Sequence, residues 1–237
     1  MTGFERFGKL ALDKVTPVFD RLDQNVSEIF EQLGQDPTKE ISSKLRLFTS
    51  SNEENFYLEI FNHFDEVKRA VETLEYIPFF IKSFRKSKAY QEAGIKNTDY
   101  LRYHVEHYIQ ENYILLSRVK TFMGWLSHSL KNEGRIRESL FVSRLLKTFE
   151  GSMKNLKEVR TDHVHKRRYD DEVLSISTVF ESSSIVNKEV EVAATRSYKS
   201  ARKEQLDQIK KNNQDLKKNL DQMAEQLIPI VFPSAKE

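Results

Sequence analysis

The sequence predicts an all-α protein, an antiparallel helical bundle with a long C-terminal helical extension. Glycine and proline are scarce, 7 and 5 in 237 residues, which disfavours a fold of strands and tight turns. Strong helix formers (Lys, Glu, Leu, Gln) fill the chain. Apolar residues recur at spacings of three and four almost throughout, the period of a helix with one buried face.

Residues 4–33 read as one or two helices, with Thr16-Pro17 as a break or a first helical turn. Gln35-Asp36-Pro37 and Thr49-Ser50-Ser51-Asn52 read as connections. From Glu53, the positions Phe56, Ile60, Phe64, Val67, Val71 and Leu74 mark one helical face, which Pro78 is expected to interrupt. A basic turn, Lys82 to Lys88, follows. Asn97-Thr98-Asp99 is a capping cluster that opens the clearest helix, about residues 98–131. Its stripe runs through Leu101, Val105, Tyr108, Asn112, Leu115 and Val119.

Gly134 separates that helix from the next, where Leu145, Phe149, Met153 and Leu156 lead up to Arg160. Asp170-Asp171 is expected to cap a segment carrying Val173, Leu174, Ile176 and Phe180, and Ser182 to Ser184 a hinge. The last helix, about 187–227, has a 3-4 heptad rhythm through Leu206, Ile209, Asn213, Leu216, Leu220, Met223 and Leu227. Asn213 resembles a register-setting polar residue of a coiled coil. The flanking Lys210, Lys217, Asn212 and Asn219 give a parallel dimer no charge pairs, so an intermolecular coiled coil and packing on the chain's own bundle both stay open. The tail 227–232 is apolar enough to dock. The chain thus divides into N-terminal helices over 1–50, a bundle over 51–185, and a long helix with its tail over 186–237.

The formal net charge is only +2, so attraction to nucleic acid has to come from local patches. Absence of cysteine rules out disulfides and thiolate metal sites. No apolar run is long enough to span a membrane, and the N-terminus has no apolar signal core; a soluble cytoplasmic protein is expected. Glycine-rich phosphate loops and nucleophile-elbow motifs are missing, and no cofactor is expected.

One stretch carries chemistry: Arg160-Thr-Asp-His-Val-His165, followed by Lys166-Arg167-Arg168. Arginine offers a fixed fork of donors to phosphate oxygens, and histidine exchanges a proton near neutrality. Together they suit metal-free RNA cleavage, in which a 2′-hydroxyl attacks the adjacent phosphate. The spacing by itself is weak, because Arg102 to His107 repeats it inside a long helix. Context separates the two: residues 154–168 hold six Lys/Arg against Glu158 and Asp162. On the long helix, His104, His107 and Glu111 share one face, but no partner pair on another helix completes a metal site. A polar strip with His107 and Glu111 as an i,i+4 pair is the simpler reading.

A bundle of long helices ending in Arg-polar-x-x-x-His resembles the HEPN superfamily, across about residues 55–185. The resemblance rests on Val159 to Tyr169 and on Tyr108 to Tyr113 with Arg118. It implies a metal-independent endoribonuclease or RNA-binding effector of toxin–antitoxin or antiphage defence systems, acting as a homodimer, with RNA and an antitoxin or other protein as partners. Arg160 would bind the scissile phosphate and His165 act as general acid or base. Thr161 stands where active members usually carry Asn, Asp or His, and it keeps a hydrogen-bonding hydroxyl. Thr161, His163, Lys166, Arg167 and Arg168 would contact substrate, with Glu111 and Arg118 supporting the catalytic pair. The alternative is a non-catalytic helical scaffold or dimerisation module that binds a protein partner.

Overall fold

The structure is a computed structural model that describes residues 1–33, 51–83, 88–154, 172–184 and 188–233. These residues form α1 (Gly3–Leu33), α2 (Asn52–Ser83), α3 (Lys88–Glu92), α4 (Asn97–Asn132), α5 (Ile136–Ser152), α6 (Glu172–Ser184), a 3₁₀ turn (Lys188–Val190) and α7 (Glu191–Val231). No strand occurs among the described residues, and the all-helical bundle is confirmed. None of the described helices is long and apolar enough to cross a membrane.

Short-range chemistry sets several helix ends. Thr2 and Glu5 form a reciprocal capping box at α1, and Ser51 and Glu54 do the same at α2. After α4, Gly134 adopts φ 77°, a left-handed conformation costly for any residue with a Cβ. The Gly134 amide then donates to the Lys131 carbonyl and the Arg135 amide to that of Leu130, closing the helix and turning the chain into α5. The expected hinge at Ser182 to Ser184 is instead the last turn of α6, where the Ser184 hydroxyl donates to the Glu181 carbonyl.

Neither proline expected to break a helix does so. α1 runs through Pro17. That ring is exposed, Val15 and Val18 beside it are buried, and the Thr16 hydroxyl donates to the Leu12 carbonyl at 2.8 Å. α2 runs through Pro78, between the fully buried Ile77 and Ile81. A proline in a helix leaves the carbonyl four residues back without its amide donor. Here that carbonyl belongs to Leu74, and it accepts the Asn213 side-chain amide from α7 at 3.1 Å.

The chain folds into two compact units built from discontinuous stretches. The first comprises Met1–Glu66, Phe122–Val142 and Leu220–Glu237. Its core is aromatic: the Phe7 ring meets Phe64, Phe122 and Phe232 within 6.0 Å. A Cβ on Gly8 would lie 2.5 Å from the Phe64 ring, so α1 approaches α2 as closely as it does only with glycine there. The apolar tail docks as expected, with Leu227, Ile228, Ile230, Val231 and Phe232 buried. Arg135 fastens it by donating to the Ile230 carbonyl at 2.6 Å.

The second unit comprises Val67–Thr121 and Ser143–Asn219. Its helices pair antiparallel. Leu74 and Lys82 of α2 meet Asn213 and Arg202 of α7, and Arg102 and Thr98 of α4 meet Thr178 and Glu181 of α6. The heptad positions Leu206, Ile209 and Leu216 are buried here, and Leu220, Met223 and Leu227 are buried in the first unit. The seam is filled by the chain's own residues, as packing on its own bundle requires.

The bond from Asn213 to Leu74 yields a test. Asn213→Leu should cost about 1–3 kcal/mol, the usual penalty for leaving a buried polar group unpaired. Adding Pro78→Ala should recover part of that loss, because residue 78 then supplies the missing amide. Urea unfolding of both single variants and the double variant would show a favourable coupling; simple additivity would disprove the link.

Candidate functional site

Arg160, Thr161, His163, His165, Lys166, Arg167 and Arg168 lie outside the described residues, in the segment between α5 and α6, as do Asp170 and Asp171. The described part of the candidate site is therefore the polar strip of α4. Glu111 and Arg118, seven residues apart on this helix, are both partly buried. His107 Nδ1 stands 3.8 Å from the Glu111 carboxylate, an i,i+4 approach longer than a hydrogen bond.

His104 faces inward, although its sequence register groups it with His107. Its ring lies against Phe80, Tyr100 and Tyr103, with centroids 4.5–5.8 Å away. Nδ1 is buried with no hydrogen-bond partner. Burial, helped by the charge of nearby His107, holds its pKa below the ordinary histidine value. A neutral imidazole packed among rings fits this setting; a proton shuttle needs a partner at each nitrogen. Among the described residues, no group of three or more His, Asp or Glu could hold a metal ion.

Arg102, which shares its spacing to His107 with the Arg160 motif, points into the bundle. Its side chain is only 11% exposed. One terminal nitrogen donates to the Thr178 hydroxyl at 3.1 Å, the other lies 3.9 Å from Asp99, and Nε is buried without a partner. A guanidinium placed this way holds α6 against α4 and cannot present its fork to an external phosphate. The second Arg–His pair is therefore structural.

Two further polar clusters surround this helix, and sequence reasoning singled out neither. At the start of α4, the expected cap at Asn97-Thr98-Asp99 is completed from afar. Glu181 of α6 accepts the amides of Asn97 (2.8 Å) and Thr98 (2.9 Å) and the Thr98 hydroxyl (2.6 Å). A carboxylate at a helix N-terminus satisfies orphan donors and opposes the helix dipole. Midway along α4, the Tyr108 hydroxyl donates to Asn213 Oδ1 at 3.0 Å, and Asn112 Nδ2 to the Tyr108 carbonyl at 2.8 Å. The sequence pattern places Asn112 within the stripe of α4 and Asn213 as a register residue of α7, without linking either to Tyr108. Glu181 left no signal, because it acts across more than eighty residues of chain.

No family model, curated protein or solved structure matches this chain.

Burial pushes the Tyr108 hydroxyl up to about 12. A tyrosine whose pKa is higher in the folded state loses stability as pH rises, because the unfolded chain ionises first. From pH 10 to about 12, that deficit grows by about 2 kcal/mol. Urea unfolding should therefore show the wild-type protein losing about that much more stability than Tyr108→Phe over the same range. Equal losses would mean that Tyr108 ionises as freely in the bundle as in water.

Proposed function

We propose that this chain is a HEPN-like, metal-independent endoribonuclease or RNA-binding effector of a toxin–antitoxin or antiphage defence system, working as a homodimer. The observation that carries this reading is the Arg160–His165 pair in a stretch, residues 154–168, whose six Lys/Arg include Arg160. The all-helical bundle accords with it, and so does the inward turn of Arg102, which removes the competing pair. Arg160 binds the scissile phosphate and stabilises the charge that develops there. The ribose 2′-hydroxyl attacks the adjacent phosphorus and the bond to the 5′ oxygen breaks, leaving a cyclic phosphate and a 5′-hydroxyl. His165 takes the attacking proton or returns one to the leaving oxygen. Thr161, His163, Lys166, Arg167 and Arg168 hold neighbouring phosphates, and Glu111 and Arg118 orient the pair.

The test is cleavage of single-stranded RNA in the presence of EDTA. Arg160→Ala and His165→Ala should each lower the rate by about 10²–10⁴-fold with helicity unchanged, the range for loss of an acid–base or phosphate-stabilising group. His165→Ala should still bind RNA, and Arg160→Ala should bind it more weakly. Wild-type rates in both variants would refute the catalytic assignment.

The rival reading, a non-catalytic scaffold, drew on the heptad helix. That seam is buried within the chain, so α7 serves the core before any partner. A chain ending near residue 200 should consequently lose cooperative thermal unfolding altogether. If it kept a sharp transition and lost only self-association, the scaffold reading would regain its ground.

A further inference from the structure

α5 has two unlike faces. Ser139, Val142 and Phe149 are buried on its inner side, where the Ser127 hydroxyl of α4 meets that of Ser139 at 2.9 Å. At 3.6 residues per turn, the exposed residues of this one uninterrupted helix fall within an arc of about 160°. That arc interleaves Ile136 (47% exposed), Leu140 (55%) and Phe141 (38%) with Arg137, Arg144 and Lys147. None of its residues is acidic. The two carboxylates of α5 lie off the arc and are paired, Glu138 with Arg135 and Glu150 with Lys120 of α4. Among the described residues, no carboxylate pairs with Arg137, Arg144 or Lys147. From Lys120 to Lys154 the chain holds seven Lys or Arg against three Glu, and all three Glu are in ion pairs. This stretch is therefore more positive than the whole chain, whose net charge is +2.

We propose that this outward face of α5 rests on a bilayer surface rich in anionic lipid. Ile136, Leu140 and Phe141 enter the boundary of the acyl chains, and Arg137, Arg144 and Lys147 sit among the headgroup phosphates. The helix lies along the surface and does not cross it. Three observations select this occupant. Cations set among apolar side chains suit an interface where the first gain anionic partners and the second leave water. RNA would engage the cations but leave the aliphatic side chains in water. Unpaired cations also oppose a second copy of the same face. Finally, the three apolar side chains expose roughly 300 Å² together, taking about 200 Å² for a whole side chain of this size. That is well below the roughly 800 Å² per side of a standard protein–protein interface. An exposed arc this wide is a ridge and gives a partner helix no groove, whereas a flat surface meets it along its length of about 25 Å. α6 supplies the contrast: it exposes Ile176 (46%) and Val179 (65%) but has no Lys or Arg. This inference is separate from any action on RNA.

The experiment uses the full chain and two kinds of vesicle, phosphatidylcholine alone and phosphatidylcholine with about 30% phosphatidylserine. Cosedimentation at low salt should show binding to the anionic vesicles and at least tenfold weaker binding to the neutral ones. Arg137→Gln/Arg144→Gln/Lys147→Gln should weaken anionic binding at least tenfold and flatten its salt dependence. Leu140→Ser/Phe141→Ser should weaken it severalfold, and Ile176→Ser/Val179→Ser on α6 should leave it unchanged. Should a multiple variant lose helicity, a single label reports on the face instead. The chain has no cysteine, so Leu140→Cys and Ile176→Cys each provide one site for an environment-sensitive fluorophore. The label at position 140 should shift to the blue on anionic vesicles, and the label at position 176 should not. Equal binding to both vesicles, indifference to either α5 variant, or a silent label at position 140 would overturn the proposal. So would a face that leaves vesicles alone yet binds an RNA oligonucleotide through Arg137, Arg144 and Lys147, because its occupant would then be nucleic acid.

Discussion

The second unit is organised around one amide. Pro78 deprives the Leu74 carbonyl of its helical donor, and Asn213 of α7 supplies a replacement while accepting from the Tyr108 hydroxyl. Three helices thus meet at one point, and a shift of α7 that moved Asn213 away would leave the Leu74 carbonyl and the Tyr108 hydroxyl without these partners, at about 1–3 kcal/mol each. Burial of Leu206, Ile209 and Leu216 drives α7 onto the bundle, but that force is non-directional and tolerates sliding. The asparagine sets the register. A proline that stays inside a helix and a polar residue inside an apolar seam are, taken singly, two violations of local rules. Together they satisfy each other.

A similar division holds at the start of α4. The amides at a helix N-terminus need acceptors, and Glu181 provides them from α6. Because Glu181 is spent there, Arg102 is left with a hydroxyl and a distant carboxylate. A buried guanidinium so weakly compensated does little for stability itself, but losing its partner would be costly. α6 is consequently attached by polar geometry, with one buried leucine, which leaves Ile176, Val179 and Phe180 outside. Their exposure follows from how the helix is fastened.

How much of this was legible in the sequence depended on range. Helix existence, the stripe of α4 and the docking of the tail follow from periodicity and solvation, and the structure has them. The breaks expected at Pro17 and Pro78 were misjudged because a proline's cost depends on where its orphaned carbonyl points. For Pro78 that meant a residue 139 positions away in sequence. The heptad of α7 was legible as a buried seam, but a one-dimensional period does not say whose side chains fill it. Glu181 carried no local signal at all. Of the candidate site, the helical strip with Glu111 and Arg118 falls on α4 as read, while Arg160, His165 and their basic neighbours fall outside the described residues.

The two Arg–His pairs show what a short motif is worth in physical terms. Arg102 and His107 have the spacing of Arg160 and His165, so spacing cannot distinguish them. Solvent access can. Arg102 lies on the edge of a buried stripe, between Leu101 and Val105, and its fork is committed to α6. A guanidinium already desolvated and bonded inside a bundle would have to leave those contacts before it met a phosphate. Arg160 differs in its sequence surroundings, where Lys154, Lys157, Lys166, Arg167 and Arg168 raise the local positive charge. Such a cluster is poor material for a core, because buried cations without partners are costly, and good material for a surface that meets a polyanion. Charge density around Arg160 and His165 is what favours RNA there in the proposed function, and the inward turn of Arg102 shows how the same pair reads without it.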